Sequence, residues 1–436
     1  MNIGITGPIS EVNFGDYAML INNMYDLGKE HHYTLYYYDT KDVTAFDNIV
    51  AKYLSDFKIK VIEIELKYNF SPPETFINKL SGKLITYLNL VEQLKIYSPF
   101  DLLEFTKNID PIQQSIDELD VMLVNGGGYF NNLWYSWSRK ADLFKIIIPL
   151  LIANNAKKNI FFMGNGYGPF DDSSEFFKCI FNSINNVQYG CRDNLLSLGY
   201  MTSLGVDSQR IKLIPDDLLV VNNEMLQKTI NTKVKLPFEN YILLETYLPL
   251  KDLKKNTGII QDFAKKMYDY WGLSIVFVPF QNKEGGEYQG KFLKSILPDV
   301  RFYLYDINIH GIVDIYELLN LIRNSNIVLG TRYHSLVLAL GQNKPVISII
   351  KKVKGDFRYY YNKNYGVLSM VMNNQSFNYK YFLRLNFYEV LQELPKIYKS
   401  IIDYQTNLFN NELYTNQLEI CKNRRSSYVK TIIKNQ

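Results

Sequence analysis

An arginine and a histidine lie two residues apart in the segment Gly330-Thr331-Arg332-Tyr333-His334-Ser335. The segment follows an apolar strand pattern and opens an apolar helix pattern, which predicts a strand-to-helix turn. Backbone N–H groups, the positive end of the helix dipole and a guanidinium would meet there and suit a phosphate or carboxylate. An imidazole beside them can donate to a phosphate or transfer a proton near neutral pH. We therefore predict an anion-binding site with Arg332 and His334 as catalytic residues; the alternative is a capping arginine and a core histidine.

A second strand-to-helix turn, Tyr189-Gly190-Cys191-Arg192-Asp193, repeats this design. Asp193 at a helix start is explained by capping or by the helix dipole. The pattern gives Arg192 no such structural role, so we predict that Arg192 is a second anion contact and a third catalytic residue. The pair Asp216-Asp217 follows another strand after Pro215. One of these carboxylates either orients a sugar hydroxyl or an arginine, or belongs to a polar turn.

Four glycine-containing turns each follow a predicted strand. They are Gly7 to Gly15, Gly126-Gly127-Gly128, Gly164 to Gly168, and Gly330. Ligands of open parallel sheets bind beyond the carboxyl ends of the strands, where glycine lets the backbone approach them. We predict a cleft at this edge, formed by residues of these turns together with Asp216: Asn13, Asp16, Gly126, Gly127, Gly128, Asn165, Tyr167 and Asp216. None of the turns is a Walker A motif or a dinucleotide-binding G-x-G-x-x-G, which argues against ATP and NAD.

Strand and helix patterns alternate along most of the chain, which predicts an α/β fold with parallel sheets and crossover helices. The polar stretch Asn222–Phe238 is the predicted linker between two domains. We predict an N-terminal domain at 1–228, with an insertion at about 67–115 that contains a helical stretch near Ile77–Ile96. A C-terminal domain follows at 235–375. A helical segment at 376–436 is predicted to pack back across both.

Composition excludes several classes of protein. The chain has 436 residues and a formal net charge of +4, and no basic, aromatic-interleaved run or motif indicates a nucleic-acid partner. Its three cysteines form neither a metal-ligand pair nor a disulfide framework, which is typical of a reducing compartment. The first residues lack the pattern of a signal peptide, and no run approaches about 18 apolar residues. We expect a cytoplasmic protein. The basic end, from Lys422 to Lys434, leaves open a peripheral contact with the inner face of an anionic membrane.

The ordered set of motifs resembles the polysaccharide pyruvyl transferase family. Asn13-Phe14-Gly15-Asp16-Tyr17-Ala18 is similar to the family's N-x-G-D-x-A element, and the two internal glycine turns to its GGG and G-x-G-x-G-P turns. Arg192-Asp193 through Leu204-Gly205-Val206, followed by Pro215-Asp216, is similar to its R-D … L-G-V element. Gly330 to Leu336 with Pro345-Val346-Ile347 is similar to its R-L-H-S-L … P-V-I signature. These elements span roughly residues 3–350.

The resemblance implies a fold like the GT-B glycosyltransferases, in which two Rossmann-like domains face an interdomain cleft. It implies phosphoenolpyruvate as donor and a pyruvate ketal on a sugar of a surface or capsular polysaccharide as product, with no cofactor and no metal. Whether the sugar acceptor is lipid-linked stays open. Arg192, Arg332 and His334 map to donor contacts, together with Gly330, Tyr333 and Ser335 of the same signature.

The chain departs from the family pattern in four places. Many members have an arginine just after the first strand of the second domain, whereas this chain reads Ile242-Leu243-Leu244-Glu245-Thr246. Tyr333 replaces the usual leucine, and both Asn69–Asp110 and the end past Asn378 are unmatched. Two other functions stay open. One is a GT-B glycosyltransferase that uses a nucleotide-sugar, and the other is a non-catalytic protein of a polysaccharide locus.

Overall fold

The computed structural model describes residues 1–9, 13–38, 43–67, 99–135, 139–307, 311–353, 355–373 and 377–434. Most of the predicted insertion, including the helical stretch near Ile77–Ile96, lies outside these ranges. No helix in the described ranges combines the length and apolar character that crossing a bilayer requires.

Parallel strands of the first half form one sheet, in the order β3-β2-β1-β4-β6-β8-β7-β5, with β9 beside β8. Its core strands are apolar on both faces, as a sheet covered by helices on both sides requires. The strands are β1 Asn2–Thr6, β2 His32–Tyr37, β3 Lys58–Glu63, β4 Val121–Val124, β5 Gly127–Phe130, β6 Asn159–Phe162, β7 Asn165–Tyr167, β8 Val187–Cys191 and β9 Ile211–Leu213. The helices are α1 Phe14–Leu27, α2 Val43–Tyr53, α3 Ile109–Asp117, α4 Asn132–Tyr135, α5 Lys140–Asn155, α6 Ser174–Ser183, α7 Leu196–Ser203 and α8 Asn223–Asn231.

The second half contains another parallel sheet, in the order β12-β11-β10-β13-β14-β15. Its strands are β10 Tyr241–Glu245, β11 Ser274–Phe277, β12 Phe302–Leu304, β13 Ile327–Gly330, β14 Val346–Ile349 and β15 Leu383–Arg384. Its helices are α9 Leu250–Lys255, α10 Thr257–Trp271, α11 Glu287–Ile296, α12 Ile315–Asn324, α13 Tyr333–Gly341, α14 Arg358–Met372, α15 Phe387–Phe409 and α16 Glu412–Lys434. The predicted α/β class with parallel sheets is confirmed.

Four local predictions differ from the structure. The glycine segments at 127–130 and 165–167 form strands β5 and β7 of the sheet. They were predicted as turns because their small residues show no apolar strand pattern. The predicted linker contains α8, which Asn222 caps through a side chain that accepts from the N–H of Glu224. Helix α14 was not predicted, since it begins with a run of tyrosines. The segment predicted as helical after residue 376 contains β15.

The two halves pack directly against each other on one side. Tyr17 of α1 donates its hydroxyl to the carbonyl of Val313 at 2.6 Å, and the N–H of Phe14 donates to the carbonyl of Phe280 at 3.1 Å. One hydrophobic core includes Phe14 and Tyr17 together with apolar residues of the second half. The long helix α1 therefore belongs to both halves and fixes their relative position along one wall of the cleft between them.

The last two helices pack back across the molecule, as predicted. Helix α15 covers the second sheet, where the Gln405 side chain bonds both the N–H and the carbonyl of Val346. Helix α16 reaches the first half, where Tyr428 donates to the carbonyl of Phe162 at 2.9 Å. From α16, the buried Arg425 ion-pairs with Asp217 at 2.9 Å and with Asp26 at 2.6 Å.

Asp217 connects this ion pair to the glycine segments. Its carboxylate accepts from the N–H of Gly126 at 3.0 Å and of Gly164 at 2.9 Å. Burial raises the pKa of Asp217, and the charge of Arg425 opposes that rise. The C-terminal helix therefore supplies the cation that favours the ionised form of this carboxylate, which holds two loops of the first sheet together.

Replacing this cation should destabilise the fold. We expect Arg425→Met to lower the free energy of unfolding by about 3 kcal/mol or more, because it leaves the fully buried Asp217 carboxylate without its cation and also removes the ion pair with the partly exposed Asp26. Chemical denaturation measures the change. Lys422→Met on the exposed face of the same helix is the control and should change stability by less than about 0.5 kcal/mol. Equal stabilities for the two variants would contradict the role of Arg425.

Candidate active site

A cleft of about 700 Å³ lies between the two halves, and residues of both line it. Eight of the predicted site residues are on its walls: Asn13, Asp16, Gly127, Gly128, Arg192, Arg332, Tyr333 and His334. The other six are not among its lining residues: Gly126, Asn165, Tyr167, Asp216, Gly330 and Ser335. The structure thus brings the two arginines and the histidine to one opening, while their chemical roles stay a prediction.

Arg192 directly follows the last residue of strand β8 and is 2% exposed. Its Nη1 donates to Asp216 Oδ2 at 3.0 Å, and its guanidinium lies 4.4 Å from the centre of the Tyr333 ring. The Tyr333 hydroxyl donates to the same carboxylate at 3.1 Å. Asp216 therefore orients an arginine, which was one of its predicted alternatives. Arg192 Nη2 is buried and makes no hydrogen bond with a described residue, so this nitrogen is available to a ligand.

Arg332 is held from the second half. Its Nη2 donates to the Gln281 side chain and to the carbonyl of Gly285, both at 2.8 Å, and its guanidinium lies 4.4 Å from the centre of the Tyr247 ring. Its Nε lies 3.4 Å from Oε1 of the fully buried Glu245. Partners on several sides leave this arginine little freedom to turn away from the cleft.

The same Glu245 corrects one expectation. Its Oε2 accepts from the backbone N–H groups of Thr331 at 2.9 Å and Arg332 at 2.8 Å. These are donors that the turn was predicted to offer to a phosphate. Glu245 ends β10 directly beside Gly330 of β13, so its carboxylate reaches the turn from the neighbouring strand. An anion in the cleft would therefore be bound mainly by side chains, and the position where an arginine was missing holds a buried carboxyl group instead.

His334 is the second residue of α13, and its Nε2 is buried without a hydrogen bond to any described residue. Burial lowers its pKa well below the usual value, and the positive charges of Arg192, Lys363 and Arg332 lower it further. The imidazole is therefore neutral at neutral pH. It can accept a proton or donate one hydrogen bond, and it becomes a proton donor only after taking up a proton.

Asp16 provides a carboxyl group near the same point. It follows Gly15, and a Cβ on Gly15 would lie 1.9 Å from His334 Nδ1, so the imidazole rests directly against this glycine. Burial raises the pKa of Asp16 to about 7, although a hydrogen bond from Asn13 and nearby cations oppose the rise. Asp16 is therefore a cleft residue that exchanges a proton near neutral pH.

The predicted residues that do not line the cleft support its walls. Ser335 donates to the carbonyl of Arg332 at 2.6 Å, and a Cβ on Gly330 would lie 2.0 Å from Ser335 Oγ. Tyr167 is buried and donates to the carbonyl of Gly190, and Asn165 donates to the carbonyl of Met163. A strand-to-helix turn needs such internal hydrogen bonds to keep its shape. A residue can therefore belong to one of the motifs without facing the cleft.

Sequence reasoning missed one group of cleft residues. Tyr359, Tyr360 and Lys363 line the cleft from helix α14, and Trp134 and Arg139 line it from the first half. The signal available in the sequence was the aromatic run of Arg358 to Tyr361 followed by a lysine. Among the described residues, no cluster of histidine, cysteine, aspartate and glutamate side chains suits a metal ion.

A family model described as polysaccharide pyruvyl transferase matches residues 13–350, well over half of the chain. The match begins at Asn13 and includes Arg192, Arg332 and His334. No curated protein matches the chain in sequence.

Three solved structures have a similar fold. A Listeria monocytogenes protein assigned as a UDP-N-acetylglucosamine 2-epimerase has a TM-score of 0.55 at 12% identity, over 99% of this chain and 94% of that chain. The Neisseria meningitidis UDP-GlcNAc 2-epimerase bound to UDP-GlcNAc has a TM-score of 0.53 at 12% identity, over 97% and 99%. MnaA of S. aureus with UDP has a TM-score of 0.51 at 15% identity, over 98% and 96%. At these identities the likeness concerns the fold alone, and the predicted GT-B-like architecture is confirmed.

The contact between Gly15 and His334 can be tested in a variant that keeps both the His334 imidazole and the Asp16 carboxyl group. Gly15→Ala suits the helix, where alanine is favoured by about 1 kcal/mol, but its methyl group would displace the imidazole. We expect the pKa of His334, followed by NMR, to rise towards its ordinary value as the ring becomes exposed. Gly258→Ala, which meets nothing within 4 Å, is the control. An unchanged His334 titration in Gly15→Ala would rule out the packing described here.

Proposed function

The chain belongs to the polysaccharide pyruvyl transferase family, and from this premise we propose that it uses phosphoenolpyruvate to build a pyruvate ketal on a sugar of a surface polysaccharide precursor, with release of phosphate. The observation that carries the proposal is the meeting of Arg192, Arg332 and His334, from separate halves of the molecule, in one cleft. Phosphoenolpyruvate bears a carboxylate and a phosphate, and guanidinium groups pair with both.

Ketal formation needs an addition to the enol double bond and then a substitution of the phosphate, with two proton transfers in each step, and the cleft offers two suitable groups. In the addition, a sugar hydroxyl forms a bond to the carbon that bears the phosphate, and the methylene carbon gains a proton to become a methyl. Asp16 in its protonated form gives that proton, and neutral His334 takes the proton of the hydroxyl. General acid and base groups of this kind each contribute about 10²- to 10⁴-fold in rate.

The second step, a substitution of the phosphate, returns both groups to their starting state. A second sugar hydroxyl bonds to the same carbon and gives its proton to the Asp16 carboxylate, while the carbon–oxygen bond to the phosphate breaks. His334, now an imidazolium, gives its proton to the departing phosphate. The guanidinium groups of Arg192 and Arg332 stabilise the negative charge that develops on the leaving group. Every proton taken up is thereby released, and no cofactor is needed for the balance.

Aromatic side chains support a sugar as the second substrate. Trp134, Tyr359 and Tyr360 line the cleft beside the charged groups, which gives the mixture of apolar faces and convergent polar atoms typical of small-molecule sites. Nothing in this arrangement selects one sugar. The proposal therefore specifies a polyhydroxyl acceptor with two hydroxyls close enough to be bridged by one carbon.

The competing donor is a nucleotide-sugar, because two of the structurally similar proteins are described with UDP or UDP-GlcNAc bound. Thermal-shift measurements with phosphoenolpyruvate and with UDP-GlcNAc separate the two donors. We expect stabilisation by phosphoenolpyruvate, its loss in Arg332→Ala, and its retention in the control Arg323→Ala on the exposed face of α12. Stabilisation by UDP-GlcNAc alone would reverse the choice of donor. Phosphoenolpyruvate binding without phosphate release for any sugar acceptor would favour a non-catalytic role.

The role of Asp16 predicts two pH dependences. Transfer should slow as the pH rises above about 7, because Asp16 then loses the proton that the methylene carbon needs. Burial disfavours the Asp16 carboxylate, so the pKa of Asp16 is higher in the folded protein than in the unfolded chain. The free energy of unfolding therefore falls as the pH rises from the unfolded-state pKa to the folded-state pKa. Asp16→Asn should therefore abolish most activity and raise the melting temperature more at about pH 8 than at about pH 4.

Asp262→Asn, at an exposed carboxylate of α10, is the control for both measurements. It should keep the pH profile of transfer and show no comparable pH-dependent gain in melting temperature. An Asp16→Asn protein that retains full activity with an unchanged alkaline limb would remove Asp16 from the mechanism.

A further inference from the structure

Helix α14 lies beyond residue 350, where the family match ends, yet it forms part of the cleft. It docks on the first half at several points. Arg358 donates to both carboxylate oxygens of Asp171, at 3.1 and 2.9 Å, and the Tyr359 hydroxyl donates to the carbonyl of Gly128 at 2.8 Å. The helix therefore brings side chains of the second half to the wall of the cleft that the first half forms. None of these side chains belongs to the family motifs.

Lys363 is the cationic residue that α14 places in the cleft. A Cβ on Gly128 would lie 2.7 Å from Lys363 Nζ and 2.9 Å from Arg192 Nη2, so these two nitrogens approach one point from opposite elements. Lys363 Nζ donates to the Tyr359 hydroxyl, which fixes the end of the side chain. The absence of a side chain at Gly128 is what leaves room for both cations.

Lys363 has no ion-pair partner of its own among the described residues. Asp216 pairs with Arg192, but no carboxylate in the described ranges lies within ion-pair distance of Lys363. Burial lowers the pKa of Lys363 well below its usual value, and the positive charge of Arg192 lowers it further. Placing a lysine beside a buried arginine costs free energy unless an anion offsets both charges. Because Lys363 and Arg192 both line the open cleft, an anionic ligand in the cleft can lie against both and offset this cost.

We propose that Lys363 is a donor-binding residue, which contacts an anionic group of phosphoenolpyruvate in the space that it shares with Arg192. The assignment rests on the proposed function and adds a contact that the family motifs do not contain. Tyr359 acts as a positioning residue, since its hydroxyl holds Lys363 Nζ against Gly128. The donor is then bound by cations from three elements: the end of β8, the start of α13 and the middle of α14.

Calorimetric titration of the full-length protein with phosphoenolpyruvate tests the assignment. We expect Lys363→Met to raise the dissociation constant about tenfold or more, as expected for the loss of a charged hydrogen bond, and Lys363→Arg to retain most of the affinity. Lys351→Met is the matched control. Lys351 lies 4.0 Å from the centre of the Tyr247 ring, close to Arg332, but it does not line the cleft. This control should leave the dissociation constant within about twofold.

Two further measurements separate a binding role from a structural one. Lys363→Met removes an amine whose protonated form is disfavoured by burial and by Arg192, so its melting temperature without ligand should not fall, whereas a structural lysine would lower it. Gly128→Ala keeps both charges but displaces Nζ and Nη2, and it should also weaken phosphoenolpyruvate binding. Wild-type affinity in Lys363→Met would overturn the assignment and leave the proposed function intact. A wild-type protein that binds no phosphoenolpyruvate would overturn the proposed function together with this assignment.

Discussion

Buried positive charge at the junction of the two halves is the constraint on which the site depends. Arg192 is fixed by Asp216, and Arg332 is fixed by Glu245, so each guanidinium has one carboxylate that holds it. Neither carboxylate lines the cleft, and Lys363 adds a cation with no carboxylate at ion-pair distance in the described ranges. Because buried charges are costly unless they are paired, a small anion completes the arrangement better than a neutral ligand would. Burial lowers the pKa of His334 and the same positive charges lower it further, so the imidazole is neutral, as the proposed role of proton acceptor requires.

The rest of the fold holds these charges in place. The Tyr333 hydroxyl and ring join the second half to the Arg192–Asp216 pair of the first. Asp217 fastens two glycine segments of the first sheet, and its own counter-charge, Arg425, comes from the last helix. Segments far apart in sequence therefore share one electrostatic network, and the C-terminal helices contribute to the site although the family match ends before them.

Much of the fold could be predicted because its strands are continuous apolar runs followed by glycine-containing turns, and Arg192, Arg332 and His334 stand at the ends of such strands. The rest depended on tertiary contacts. Only the pairing of β10 with β13 shows that Glu245 occupies the N–H groups of the turn at Thr331. Helix α14 was missed because its tyrosines and polar residues show no clear apolar period, so Lys363 was missed with it. The proton exchange of Asp16 near neutral pH follows from its burial, which neighbouring residues in sequence do not reveal.

A crystal structure of the protein soaked with phosphoenolpyruvate tests the central claim most directly. We expect electron density for the donor between Arg192 and Arg332, within hydrogen-bond distance of both guanidinium groups and of His334. Density for the donor at any other place, or a cleft in which these three side chains turn away from it, would contradict the account.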